Sequence, residues 1–352
     1  VLAAPQVTRA TVPPDLRLGY IGHLVVRGAE VFAVGGTYHS PTLLHSTDHG
    51  ATFAAWPPPR TSGLRDLYLD EQRTWVVGEY GCIAHTSDAG ATWKRVKTES
   101  HSCLYAIERD AKGQLWITGD DGLVMRSATR AGRSFTRIPT RTHGRVLALY
   151  LDPKTDHPWI LDSTGTLQRW NGKKFVTVEL PALRTKHSLN RIVRTPSGAL
   201  IVTANGGAVL RSNNDGGTWK KIATHVRAEL ETVVVTRYGT FVAGDNGTLL
   251  VSYDDGRTFT VVESLRGAGL RGHLWSIANV HGANVPGGIL IGGDNGDIFR
   301  IAATELAKLM HAATAGKDEV LAALALRIQD GDDGAEMVLE DALRERQLWD
   351  VS

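Results

Sequence analysis

Six times along the chain a short polar string returns at nearly constant spacing, and that period limits the fold more than any other feature. Its full form runs Ser/Thr-x-Asp-x-Gly-x-Thr-aromatic. Ser46–Phe53 (STDHGATF), Thr86–Trp93 (TSDAGATW) and Ser252–Phe259 (SYDDGRTF) carry it, and Ser212–Trp219 (SNNDGGTW) has Asn214 in place of the Asp. Ser127–Phe135 (SATRAGRSF) and Arg169–Phe175 (RWNGKKF) are looser copies. Measured at Gly50, Gly90, Gly132, Gly172, Gly216 and Gly256, the steps are 40, 42, 40, 44 and 40 residues. Such a period means one supersecondary unit repeated, each burying its apolar faces against its neighbours.

The string has the chemistry of a tight corner between two strands. A carboxylate or amide oxygen at Asp48, Asp88, Asn214 or Asp254 can accept hydrogen bonds from backbone N–H groups just after it. The glycine supplies a backbone angle that residues with a Cβ resist. The closing aromatic, Trp93 or Trp219 for example, opens the next strand and packs between sheets. These residues are therefore read as structural.

Each repeat holds three further apolar runs. The first follows a Φ-x-x-Φ pattern: Ile21–Leu24, Leu64–Leu67, Leu104–Ile107, Val146–Leu149, Leu189–Ile192, Leu230–Val233 and Leu274–Ile277. A β-rich second run follows, then a compact turn such as Gly244-Asp245-Asn246-Gly247, a strong hairpin signal. The third run enters the corner, and a fourth strand leaves it. Four antiparallel strands per repeat make a propeller blade, and seven first strands predict seven blades. The seventh repeat stops at Arg300-Ile301 without a corner, so its fourth strand is expected from the alternating N-terminal residues 6–12. The fold class is thus an all-β, seven-bladed β-propeller closed by an N-terminal strand, spanning 1–302. From about Thr304 the pattern turns helical: one helix to about Gly316, a second over Asp318–Gln329, and a third over Ala335–Leu348 with Val338, Leu339, Ala342 and Leu343 on one side. Residues 303–352 form a C-terminal α-helical extension whose apolar stripes are expected to dock on the propeller.

The chain has 352 residues and a net charge of +2, so no global field calls for nucleic acid or a membrane surface. No apolar run reaches the roughly 20 residues of a membrane span. The two cysteines, Cys82 and Cys103, lie in adjacent repeats, which leaves pairing open. Val1-Leu2-Ala3-Ala4 is too short to define a secretory leader. A soluble chain is expected, cytoplasmic, or periplasmic or secreted after leader removal.

In its motifs the chain resembles the Asp-box (BNR-repeat) β-propellers, and most of all the Ycf48/HCF136-like group of photosystem II assembly factors. That group's blade reads roughly L-x-R-I, then W-A-V-G-x-x-G, then S-x-D-G-G-x-T-W. Leu189-Asn190-Arg191-Ile192 with Ala204–Gly207 and Ser212–Trp219 is similar to it, as is Trp75–Gly81 with Thr86–Trp93. The resemblance covers residues 6–301 and implies the fold and a non-catalytic binding or assembly role. A photosynthetic role is not carried over. Sialidases also use such corners, but Arg137-Ile138-Pro139 stands on a fourth strand of blade three, and sialidase rings have six blades.

Function is expected on the face opposite the corners, where the connections from fourth to next first strand are least repetitive. Those connections and first strands carry Arg65, Arg141, His143, Arg145, Arg184, His187, Arg191, Arg227, Arg271 and His273. The first-strand residues Tyr105, Asn190, Arg191, Trp275, His23 and Asp66 are candidates to line the central channel, Tyr105 and Trp275 as an aromatic wall. This pattern fits a protein- or peptide-binding scaffold or assembly factor using a basic face, with an acidic partner as its complement. The alternative is an enzyme, a glycan- or peptide-directed hydrolase or lyase, with its site on the same face. Glycoside hydrolysis needs paired carboxylates, but Glu79, Asp120, Asp121, Asp162, Asp245 and Asp294 occupy turn slots where acids are favoured structurally. Histidine spacing shows no metal motif. No cofactor, metal or nucleic acid is expected.

Overall fold

Apolar runs separated by tight turns pair in sequence order, and each repeat closes into a four-stranded antiparallel sheet. A computed structural model of the chain describes all residues except 15–18, 184–186, 264, 266–269, 271, 281–286, 330–334, 336–337, 340 and 344–352. Among the described residues there are seven such sheets. Their first strands are Ile21–Arg27, Leu64–Leu69, Leu104–Arg109, Val146–Leu151, Leu189–Arg194, Leu230–Thr236 and Leu274–Val280. Blade four begins its second strand at Pro158, where no ladder donor is lost inside the strand. The core is a ring of apolar clusters, each shared by adjacent blades.

The N-terminus closes the ring. Thr8 pairs with Arg300 and Arg9 with Phe299, completing the blade built from Leu274–Val280, Gly288–Gly293 and Ile298–Ala302. The same segment reaches further than this strand. Leu2 bridges to Val262 of blade six, and Thr11 bridges to Thr52 of blade one.

The four well-formed corners share one hydrogen-bond scheme. In the first, the Ser46 hydroxyl donates to Asp48 at 2.7 Å, and the Gly50 N–H donates to Ser46 Oγ at 2.9 Å. Asp48 also accepts from the Thr52 N–H at 2.9 Å and the Thr52 hydroxyl at 2.6 Å. Asp88 and Asp254 repeat these bonds, and Asn214 substitutes its amide oxygen. The residue before each glycine is also left-handed: His49, Ala89, Asp215 and Asp255 have φ between 52° and 62°. The side-chain bonds of the corner hold this unfavourable angle in place.

The glycines have a second duty that the period alone does not reveal. A Cβ on Gly50 would meet Leu290 of blade seven at 2.4 Å, one on Gly90 would meet Trp56 at 2.7 Å, and one on Gly216 would meet Trp159 at 2.4 Å. Gly132 and Gly256 are pressed in the same way against Trp75 and Ile201. Each corner therefore seats on the preceding blade. Gly172, in the shortest copy, has nothing within 4 Å. Buried ion pairs reinforce the same side, with Arg109 to Asp70 at 2.9 Å and Arg194 to Asp152 at 2.6 Å joining neighbouring blades.

The seventh corner is replaced by helix α1 (Ala303–Thr314), which follows the last strand without a linker, and helix α2 (Glu319–Gln329) packs on it. Their buried faces, Leu306, Leu309, Met310, Leu321, Leu324 and Ile328 among them, join one cluster with Phe241, Val251, Val262, Phe299 and Ile301 of blades six and seven. Glu305 of α1 accepts a 2.8 Å hydrogen bond from the Gln6 backbone, tying the extension to the closing strand. Beyond it, Ala335, Leu339, Ala342 and Leu343 are helical and buried in the same cluster, whereas Val338, expected on their side, is 46% exposed. Spacing explains this: 335, 339, 342 and 343 make the inward stripe, and 338 lies at its margin. Both cysteines are free thiols, Cys82 buried and Cys103 half-buried.

Two predictions follow from the corners. Gly172→Ala should lose about 1–2 kcal/mol for its left-handed angle alone. Gly216→Ala should lose about 1–3 kcal/mol more, because its methyl also overlaps Trp159; equal losses in urea unfolding would contradict the seating role. Burial opposes ionisation of Asp48, but hydrogen bonds from Thr52, Ser46 and Ala51 outweigh it and bring the carboxyl to about 2. Hydrogen bonds from Thr86 and Thr92 bring Asp88 to about 2. Both lie below the ordinary 3.8, so their stabilisation is full above about pH 4 and is lost as pH falls through about 2. Asp88→Asn, which copies the Asn214 corner, should flatten the fall in unfolding free energy between those limits.

Candidate functional site

Every first strand carries a β-bulge at the same place, between its first apolar residue and the second residue after it. The extra residue is freed from the ladder and re-aimed. In chain order these residues are Gly22, Arg65, Tyr105, Leu147, Asn190, Glu231 and Trp275. All seven line a single cavity of about 440 Å³, joined by Tyr20, Arg145, Ser188, Arg191, Asn205 and Glu229. Each blade thus contributes one bulge residue to a common central site, on the face opposite the corners.

Behind the cavity, acids at the start of the turn after the second strand hold several of these side chains. Tyr105 donates its hydroxyl to Asp120 at 2.8 Å, and the Trp275 indole N–H donates to Asp294 at 2.8 Å. Arg65 is paired with Glu79 and lies over the Tyr20 ring at 5.4 Å. Asp120, Asp245 and Asp294 also accept backbone N–H groups of Cys103, Glu229 and His273, tying the turn to the entry of the first strand. Asp162 serves its own turn through Thr164 and Thr166 at 2.8 Å. Burial, with Cys103 and Asp120 adding to it, pushes the Tyr105 hydroxyl up, so it remains a donor.

Charge within the cavity is of both signs. Arg145 is exposed and Arg191 half-buried, and the side chains of both make no hydrogen bond or ion pair with the described residues. On the next blade stand Glu229 and Glu231, and His273, just outside the lining, brings its ring to them: the ligand-type atoms of the three lie within 4.8 Å of one another. Burial, reinforced by Glu229, pushes the Glu231 carboxyl up to about 7. Glu108, on the first strand of blade three, is pushed up to about 8, first by burial and then by Asp66, with Arg191 opposing. His273 stacks on Trp275 at 4.7 Å and 14°, and Tyr20 meets Trp275 at 5.3 Å.

Of the sequence candidates, Arg65, Tyr105, Arg145, Arg191 and Trp275 come together here, with Asn190. His23 and Asp66 instead pair with each other between blades one and two, and Asp66 accepts the Ile107 N–H at 2.8 Å. Arg141, His143 and Arg227 are exposed on the surrounding connections, outside the cavity lining. The His187 ring packs beside Gly206. Arg184 and Arg271 lie outside the described residues. Tyr20 and Glu231 were missed, although Glu231 stands in the same column of Φ-x-x-Φ as Tyr105 and Trp275. The Glu229–Glu231–His273 grouping was missed because it joins two blades and follows no linear motif. Among the described residues no helix is long and apolar enough to cross a membrane.

The architecture is that of a seven-bladed β-propeller with a central cavity assembled from all its blades. In sequence the chain is similar to the photosystem II assembly lipoprotein Ycf48 of Synechococcus sp. (strain CC9902), 23% identical over 231 residues that span 62% of this chain and 68% of that protein. Among solved structures, YCF48 bound to D1 peptide superposes with a TM-score of 0.67 at 19% identity, covering 86% of this chain and 99% of that one. A streptogramin B lyase gives a TM-score of 0.67 at 14% identity, covering 84% and 96%. No protein-family model matches the chain. These likenesses bear out the resemblance drawn from the blade motifs and the seven-bladed fold.

Proposed function

We propose that the central cavity and the arginine-bearing connections around it bind a segment of another protein, and that the chain acts as a binding scaffold or assembly factor. The observation that carries this reading is the convergence of seven bulge residues on one cavity that also holds two arginines whose side chains make no hydrogen bond or ion pair with the described residues. Arginine left unpaired beside aromatic side chains is suited to carboxylate recognition. Arg141, His143 and Arg227 would extend the positive surface around the mouth, and Arg184 and Arg271 fall in the same connections. The similar YCF48 structure is of that protein bound to D1 peptide, which supports a peptide ligand here.

A rival reading, an enzyme using the same cavity, has one foothold: the Glu231 carboxyl, raised to about 7 mainly by burial, can give and take a proton near neutral pH. Turnover of a glycan or peptide that disappears in Glu231→Gln would put it first. For the binding reading, the double variant Arg145→Glu, Arg191→Glu should weaken capture of an aspartate-containing peptide about 100-fold, as expected for two charge-assisted contacts. Retention of full affinity by a variant with an unchanged circular dichroism spectrum would refute it.

A further inference from the structure

The cavity is divided by charge, and the division falls between blades. Arg145 and Arg191 come from blades four and five. Glu229 and Glu231 come from the entry and first strand of blade six, and His273 from the entry of blade seven. Arg65, the remaining cation of the lining, is already neutralised by Glu79. The acidic side has no cation within ion-pair distance among the described residues: neither Glu229 nor Glu231 forms a salt bridge or a side-chain hydrogen bond. The turn acids behind the cavity are satisfied by N–H and O–H donors, whereas this pair has none. Two carboxylates without an ion-pair partner line the same small cavity as two guanidinium groups, Arg191 near enough to Glu231 to favour its ionised form but not bonded to it, and that is not the lining of a site for anions alone. Like charge opposite an acidic ligand would subtract from what the arginines contribute.

We infer that the cavity recognises a peptide segment bearing both a carboxylate and a basic side chain a few residues apart, the carboxylate on Arg145 and Arg191 and the lysine or arginine on Glu229 and Glu231. The inference rests on the peptide-binding reading above and makes it more specific. The aromatic wall favours an organic cation over a metal ion on the acidic side. Trp275 and Tyr20 lie in the same lining, 5.3 Å apart and tilted by 53°, and an ammonium or guanidinium group gains from aromatic faces as well as from carboxylates. A volume of about 440 Å³ suits a few side chains and not a folded domain.

The acidic side also makes recognition depend on pH. Glu231 faces Glu229 on its own blade, Asp245 in the adjoining turn, His273 from blade seven and Arg191 from blade five. Burial is the largest influence, and its carboxyl stands at about 7. Protonated Glu231 loses its attraction for a cation, so affinity for the basic element rises as pH increases through 7.

Calorimetric titration of the full chain with three end-blocked peptides tests this: one holding a lysine and an aspartate two residues apart, one holding the aspartate alone, and one holding the lysine alone. The mixed peptide should bind about tenfold tighter than either single-charge peptide, and more tightly at pH 8 than at pH 6, in line with one charge-assisted contact. Glu231→Gln should remove most of that advantage, weakening the mixed and lysine peptides while leaving the aspartate peptide bound at least as tightly, and Arg191→Gln should weaken the aspartate and mixed peptides while sparing the lysine peptide. Retained affinity in Arg191→Lys would separate loss of charge from loss of structure. Equal binding of the mixed and aspartate peptides, or an equal gain for both in Glu231→Gln, would overturn the inference while leaving an anion-binding scaffold intact. Binding that appears only when Mn²⁺ is added would overturn it in favour of a metal site at Glu229, Glu231 and His273. Failure of all three peptides to bind would overturn it as well. Insensitivity of aspartate-peptide binding to Arg145→Glu, Arg191→Glu would instead fault the underlying binding reading.

Discussion

A ring of sheets must be closed by hydrogen bonds between the two ends of the chain, and here those bonds fall on a few N-terminal residues. Thr8 and Arg9 supply the missing edge of blade seven, and the bridges at Leu2 and Thr11 carry the same segment onto blades six and one. Without that segment the third strand of blade seven would present an open edge, with the pairing hazard edges bring. The central cavity depends on the same closure, because Trp275 and Tyr20 stand on opposite sides of the junction between blades seven and one. Helix α1 adds to the closure from outside, through Glu305 and its buried apolar face. What reads in sequence as an appendage is continuous in packing with the last two blades.

The two faces of the disc solve different problems with similar residues. On the corner face, Asp and Ser bonds fix left-handed turns, and the absence of a Cβ lets each turn seat on the preceding blade. Arginines there, such as Arg109 and Arg194, are consumed in buried ion pairs. On the other face, acids at the matching turn position orient Tyr105 and Trp275 toward the cavity. These aromatic groups are thus held before any ligand arrives, which lowers the ordering entropy that binding must overcome.

Much of this was legible in the sequence because it repeats. Period, strand count, the seven blades and the closure by residues 6–12 all come from patterns that a propeller imposes on every unit. The corner bonds of Asp48 and Asp254 follow from local chemistry and needed no tertiary information. Legibility stopped where the answer depends on a neighbouring blade. That Arg65 is spent on Glu79, that His23 takes Asp66, and that Glu231 approaches His273 are facts of inter-blade distance, and no linear motif encodes them. The seating of Gly216 on Trp159 was hidden for the same reason, since the glycine was fully explained by its angle. Val338 was misplaced by a margin of helical phase that only packing decides. The bulge was visible in principle, because Gly22, Arg65, Tyr105, Leu147, Asn190, Glu231 and Trp275 share one column, but their diversity concealed it.

That diversity has a consequence for how such a site can change. A bulge residue makes no ladder pair, so its identity is only weakly tied to the strand that carries it. The seven positions therefore vary around a fixed frame, here glycine, arginine, tyrosine, leucine, asparagine, glutamate and tryptophan, although Asn190 also donates to the Leu230 carbonyl of blade six at 2.9 Å. Substitutions at positions such as Leu147 and Glu231, whose side chains form no hydrogen bond among the described residues, can rewrite what the centre of the disc recognises while the inter-blade packing beneath stays as it is. Chains with this scaffold can diverge in ligand without diverging in architecture, and low sequence identity between two such propellers carries little information about whether their centres accept the same molecule.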